Sequence, residues 1–186
     1  MPDPVQIIVP VKGLTDGKSR LADVLAPDER AALNRYLAER TLRTVRECFP
    51  DDMLTVVSPD PEMRTPANEG GAHFVLQSGT GLNAGLAEAA SALPPGRTII
   101  VAADLPDLSA ADLALLADIR GIGIAPDESG NGTNALSLPT PRAIAFQFGP
   151  NSFTAHKTAA DATGLPVDIF HRPGLAFDLD TKDNLS

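Results

Sequence analysis

Short apolar runs separated by glycine, proline and acidic residues set the rhythm of this chain. Residues 5–10 hold Val5, Ile7, Ile8 and Val9 and read as a first β-strand. Over residues 27–49 the period changes. Leu33, Leu37, Val45 and Phe49 recur at helical multiples, with Tyr36 and Leu42 flanking the same face. Pro27, Asp28 and Glu29 suit the start of that helix. Residues 53–57 return to a strand pattern, and 58–71, rich in proline, glycine and glutamate, read as a surface loop. A short strand is expected at 73–76, an alanine-rich helix at 84–93 and a strand at 97–103. Ser109 and Asp112 offer a capping pattern ahead of a helix carrying Leu113, Leu115 and Leu116. Strands follow at 122–125 and, after a polar turn over 126–132, from 133 to 136. A loop over 146–153 leads to a helix at 154–163, and 166–170 and 175–177 read as final strands. The alternation through the first two thirds predicts a three-layer α/β fold around a mostly parallel sheet. With no repeat or linker, residues 1–186 read as one domain.

Composition narrows the function. Aromatic residues are only 4% of the chain, so alanine, leucine, isoleucine and valine must fill the core. The net charge is −9 and no lysine/arginine cluster stands out, which argues against a nucleic-acid partner. An anionic ligand would have to be met locally, by backbone N–H groups, a few lysines or a divalent ion. Cys48 is the single cysteine, which excludes an intrachain disulfide and a cysteine-rich zinc site. Its helical, apolar context makes it a core filler. No signal-peptide pattern or long apolar segment is present, so the expectation is a cytoplasmic protein without a membrane partner.

Several stretches carry candidate chemistry. The run from Thr98 to Ala103 ends in Asp104, followed by Leu105 and Pro106. A carboxylate there sits at the carboxyl end of a buried strand, where open α/β sheets bind ligands. Residues 13–19 nearly spell a Walker loop, but the glycine spacing is one residue short. Lys12 and Lys18 remain candidates to meet phosphate. Gly79-x-Gly81-x-x-Ala84 fits a dinucleotide fingerprint with Asp104 some way on, yet it sits mid-chain after a short strand. Gly149-Pro150-Asn151-Ser152 opens a helix, where Ser152 either caps it or leaves its N–H groups to an anion. His156, one turn later, reads as structural or solvated. Asp178 and Asp180 point to one side of an extended segment. They are either a solvated pair or, with Asp104, three oxygen ligands suited to Mg²⁺.

Taken in order, these pieces resemble one family, the 2-phospho-L-lactate guanylyltransferases of coenzyme F-420 biosynthesis, which include phosphoenolpyruvate guanylyltransferases. The resemblance is carried by residues 9–12, 18–21, 81–83, 103–106, 132–136 (Gly-Thr-Asn-Ala-Leu), 148–153 (Phe-Gly-Pro-Asn-Ser-Phe) with His156, and 178–181. It implies a nucleotide-diphospho-sugar-transferase-like, Rossmann-like fold related to the molybdenum-cofactor guanylyltransferases. It implies transfer of GMP from GTP to a small phosphorylated carboxylic acid: 2-phospho-L-lactate, phosphoenolpyruvate or 3-phosphoglycerate. Asp104, Asp178 and Asp180 would hold Mg²⁺. Thr133, Gly149 and Ser152 would hold the acceptor's phosphate, largely through backbone N–H groups. Lys12 and Lys18 would meet the nucleotide phosphates and, with Asp104, form the catalytic set; Gly81 and Asn83 would lie against the nucleoside. A homodimer is compatible with this reading. The chain departs from the family at Asn151, often glycine, and in the tail at Lys182 and Asn184. The alternatives are a nucleotidyltransferase for molybdopterin or a sugar phosphate, and a nucleotide-binding regulator without turnover.

Overall fold

A computed structural model describes residues 4–14 and 18–180. Its strands are β1 (Gln6–Pro10), β2 (Met53–Ser58), β3 (His73–Leu76), β4 (Thr98–Val101), β5 (Ile122–Pro126), β6 (Thr133–Leu138) and β7 (Val167–Ile169). They form one seven-stranded sheet in the order β3-β2-β1-β4-β6-β5-β7. β1, β2, β3 and β4 pair in parallel, as do β5 and β7. β6 runs antiparallel to both β4 and β5. The turn between Pro126 and Thr133 is too short for a parallel crossover, so the chain must reverse there.

The helices are α1 (Pro27–Cys48), α2 (Arg64–Glu69), α3 (Leu82–Ser91), α4 (Ala110–Ala117), α5 (Ser152–Asp161) and α6 (Pro173–Ala176). Alternation along the strands sorts them into two layers. Ile7, Val9, Ile99 and Val101 face a core completed by Leu42 and Val45 of α1, Leu113 and Leu116 of α4 and Leu175 of α6. Ile8, Ile100 and Leu136 face a second core with Leu86 of α3 and Ala160 of α5. Cys48 packs against the first core as expected, and burial, then the nearby Asp52 charge, push its thiol pKa up. No helix among the described residues is long and apolar enough to cross a membrane.

Two stretches differ from expectation. The loop expected at 58–71 contains a 3₁₀ turn, Pro61–Met63, and then α2. Met63 and Ala67 are fully buried. Pro66 masked this helix, but it lies in the first turn, where no intrahelical N–H partner is lost. The strand expected at 175–177 is instead α6, opened by Pro173 at its first position and anchored by buried Leu175. The capping role of Ser109 holds: its Oγ accepts from the Asp112 N–H at 3.2 Å.

β2 and β3 extend the sheet on one side of β1, and β4 opens the other. The strand order therefore reverses between β1 and β4. At such a point the connections leave in opposite directions and a crevice opens beyond the carboxyl ends of the strands.

Candidate active site

A cavity of about 380 Å³ occupies that crevice. Lys12, Lys18, Asp104, Thr133, Gly149, Ser152, Asp178 and Asp180 all line it. Gly81 and Asn83 are not among its lining residues; Leu82, between them, is. Asn83 has a different contact. Its Nδ2 donates to Phe148 O at 3.0 Å, and its Oδ1 accepts from Phe148 N at 2.8 Å. Asn83 thus holds the loop that carries Gly149.

The segment after β1 forms one wall. Val11 N–H donates to Val57 O, Leu14 N–H to Asp60 Oδ2 and Asn34 Nδ2 to Leu14 O, each at 2.9 Å. Residues 15–17 of the glycine-punctuated loop lie outside the described residues. Lys18 adopts a left-handed backbone (φ 59°, ψ 32°), a conformation uncommon for a side chain of this kind. Its side chain is only 4% exposed, and its Nζ lies 2.6 Å from Asp104 Oδ2. A buried ammonium needs such a partner.

Asp104 sits just past β4, as expected. Arg40 Nη1 donates to Leu105 O and Leu108 O at 3.4 and 3.2 Å, which pins the loop that follows. The distant Asp178 and Asp180 arrive through backbone contacts. Leu179, between them, donates its N–H to the Asp104 carbonyl at 3.0 Å. Asn134 Nδ2 donates to Leu175 O at 2.9 Å and to Ala176 O at 3.2 Å, fixing α6 just upstream. Burial, then the charges of Asp104, Asp180 and Asp127, push the Asp178 carboxyl above its ordinary pKa. Arg20 Nη1 meets Asp180 Oδ2 at 3.2 Å.

Four aspartates, Asp104, Asp127, Asp178 and Asp180, therefore line the cavity against two lysines. That excess of negative charge, with the raised Asp178, is what a hard divalent cation with oxygen ligands would relieve. The donor set fits such an ion in kind. As the side chains stand, no three carboxylate, histidine or cysteine groups among the described residues are arranged to hold a metal. Asp104 holds the Lys18 ammonium through Oδ2, which leaves its other carboxylate oxygen for a cation.

The opposite wall is built by β6, the 147–149 loop and α5. Ser152 is not the cap of α5. Asn151 takes that place with φ 59°, and Ser152, 1% exposed, is the first helical residue. Asparagine tolerates the left-handed region better than most non-glycine residues, which suits Asn151 to this backbone. The Ser152 N–H donates to Gly149 O at 3.1 Å. His156, expected to be structural or solvated, is fully buried. Its Nε2 accepts from Gln147 N–H at 2.9 Å and its Nδ1 lies 3.0 Å from Thr133 Oγ1.

Burial lowers the His156 pKa from 6.5 to about 4. The consequence for stability has a definite sign. Above about pH 6.5 both folded and unfolded chains keep this histidine neutral. As pH falls toward about 4, only the unfolded chain takes the proton, and stability is lost, by about 3 kcal/mol in full. Urea unfolding at pH 7 and pH 5 should show a loss of about 2 kcal/mol attributable to this group. A His156→Gln variant should lack that increment; an equal loss in the variant would assign it elsewhere.

Sequence reading missed Asp127, Asn134 and the role of His156. Asp127 had a signal: like Asp104, it is a carboxylate directly after a strand. Its Oδ1 accepts from Ser129 Oγ at 3.0 Å and Asn131 N–H at 2.9 Å, so it also shapes the turn into β6. Asn134 and His156 act across the fold and had no local signal beyond their motifs.

Comparison with known proteins agrees with this geometry. The family model described as "Guanylyl transferase CofC like" matches residues 5–186. A phosphoenolpyruvate guanylyltransferase of Sphaerobacter thermophilus is 42% identical, over 96% of this chain and 89% of its own. A phosphoenolpyruvate guanylyltransferase of Rubrobacter xylanophilus is also 42% identical, over 96% of this chain and 90% of its own. Among solved structures, a protein from Desulfovibrio desulfuricans G20, provisionally assigned as a nucleotide-diphospho-sugar transferase, superposes with a TM-score of 0.74. That superposition covers 95% of this chain and 82% of the other at 17% identity, and shows a shared fold. From the strand order, the crevice and a match along nearly its whole length, the chain belongs to the CofC-like guanylyl transferase family and is a nucleotidyltransferase.

Proposed function

We propose that this protein transfers GMP from GTP to phosphoenolpyruvate with release of pyrophosphate, as a step of coenzyme F-420 biosynthesis. The observation that carries this reading is that one cavity gathers the lysines, the aspartates and the Thr133/Gly149/Ser152 wall. Phosphoenolpyruvate is favoured among phosphorylated acids because the relatives at 42% identity bear that name.

In this reading a phosphate oxygen of the acceptor attacks the α-phosphorus of GTP in line. The bond from the α-phosphorus to the bridging oxygen breaks, and pyrophosphate leaves. No protein nucleophile is needed. Catalysis is positioning and charge neutralisation. Lys12 and Lys18 meet the nucleotide phosphates; Thr133, Gly149 and Ser152 orient the acceptor; Asp104, Asp178 and Asp180 would hold Mg²⁺. When bound, that ion offsets the negative charge that GTP and the aspartates bring together.

The test is pyrophosphate release from GTP and Mg²⁺ with phosphoenolpyruvate, 2-phospho-L-lactate and 3-phosphoglycerate offered separately. Turnover with phosphoenolpyruvate at least tenfold above the other two is expected, the scale of a site that separates close analogues by one or two contacts. Preference for another acid would reassign the acceptor. Absence of turnover with all three would remove the proposal.

A further inference from the structure

One buried imidazole touches Thr133, in the wall assigned to the acceptor's phosphate, and the loop that leads to Gly149. His156 lies one turn after Ser152 on α5. Its Nε2 takes a hydrogen bond from Gln147, two residues before Gly149, and its Nδ1 reaches Thr133 Oγ1. Its ring also packs edge-on against Phe148, with centroids 4.7 Å apart.

The tautomer follows from these contacts. A backbone N–H can only donate, so the Gln147 N–H requires a bare lone pair on Nε2. A neutral imidazole then carries its proton on Nδ1, and Nδ1–H donates to Thr133 Oγ1. The threonine oxygen is thereby an acceptor on its buried side. Its own hydroxyl proton must point elsewhere, and Thr133 lines the cavity. With both ring nitrogens committed and no exposed surface, His156 acts through Thr133 and the 147–149 loop.

We propose that His156 is a positioning residue: it donates to Thr133 Oγ1 and so fixes the threonine hydroxyl as a hydrogen-bond donor aimed at an acceptor phosphate oxygen. This rests on the reading of Thr133 as part of the acceptor's site.

Two measurements test it. In the wild-type enzyme at pH 7, nitrogen chemical shifts of His156 should report a neutral ring protonated at Nδ1. A ring protonated at Nε2, or at both nitrogens, overturns the proposal without any variant. The second is a double-mutant cycle with GTP, phosphoenolpyruvate and Mg²⁺. Thr133→Val should raise the acceptor's KM by roughly ten- to a hundredfold, the range for one hydrogen bond to a charged group. The KM for GTP should stay within about twofold. His156→Gln keeps an acceptor near Nε2 but loses the donor to Thr133, and should raise the acceptor's KM in the same selective way. His156→Asn, which keeps a donor near Nδ1, should recover part of the loss. The double variant His156→Gln/Thr133→Val should be no worse than Thr133→Val alone. Independent, multiplying effects would show that His156 does not act through Thr133 and overturn the proposal. An unchanged acceptor KM in Thr133→Val would instead overturn the underlying placement of the acceptor, and the proposal with it.

Discussion

Replacing Asp104 with asparagine is expected to slow pyrophosphate release from GTP and phosphoenolpyruvate by roughly a hundredfold or more. Charge stabilisation by a metal ion is worth several kcal/mol, and each 1.4 kcal/mol or so is a factor of ten. Asparagine keeps the shape of the side chain but removes the charge that Lys18 and a cation both seek. A structural cost accompanies the catalytic one, because the Lys18 side chain is only 4% exposed and would lose its partner. Asp104 is itself 32% exposed, so that cost falls below the roughly 3–5 kcal/mol seen when a fully buried pair is broken. The two effects separate experimentally. Denaturant unfolding reads the loss of the ion pair, and a Mg²⁺ titration of turnover reads the loss of the ligand. Wild-type-like turnover at ordinary Mg²⁺ would remove Asp104 from the mechanism.

Asn134→Ala should be the most damaging change outside the charged groups. Two carbonyls receive the Asn134 carboxamide. Ala176 O retains a second donor, the Glu128 N–H at 2.9 Å. Leu175 O would be left buried without this donor, at a cost of about 1–3 kcal/mol. At this chain length that lowers the melting temperature by roughly 2–12 °C. Function should suffer more than stability. The segment carrying Asp178 and Asp180 follows α6 directly, so loosening α6 loosens both carboxylates. The Mg²⁺ concentration for half-maximal turnover should rise severalfold, on the scale of lost outer support for a metal ligand. Asn134→Asp should be no better, since an ionised carboxylate cannot donate to a carbonyl. Unchanged Mg²⁺ dependence in a destabilised Asn134→Ala would separate the clamp from the carboxylates.

The fold was largely legible because its signals are local. Ile99–Val101 is uniformly apolar and stops at a turn, and α1 repeats its apolar face over many turns. Asp104 could be found because the end of a buried strand is a position with chemical meaning. What escaped depended on distant partners. α2 was hidden by Pro66, a helix breaker whose position in the first turn cannot be judged without the boundary. α6 is too short for periodicity to declare itself, and its identity rests on Pro173 and on burial of Leu175. Gly81, expected to lie against the nucleoside, has φ 88°, a backbone conformation that favours glycine. Asn83, two residues on, spends its polar atoms on Phe148, a partner no pattern near it could announce.

The reversal of β6 has a mechanical corollary. It brings the beginning of one strand to the edge where its parallel neighbours end, so consecutive residues Thr133 and Asn134 enter the crevice with side chains on opposite faces of the sheet. Thr133 fastens to α5 through His156, and Asn134 fastens to α6. A single peptide unit is therefore the hinge pin between the outer layers at this edge. A slip of β6 by one residue would exchange the two fastenings and undo both walls at once. The same geometry is tolerant in another direction: lengthening the surface connections beyond α5 or ahead of α6 leaves the distance across that peptide untouched.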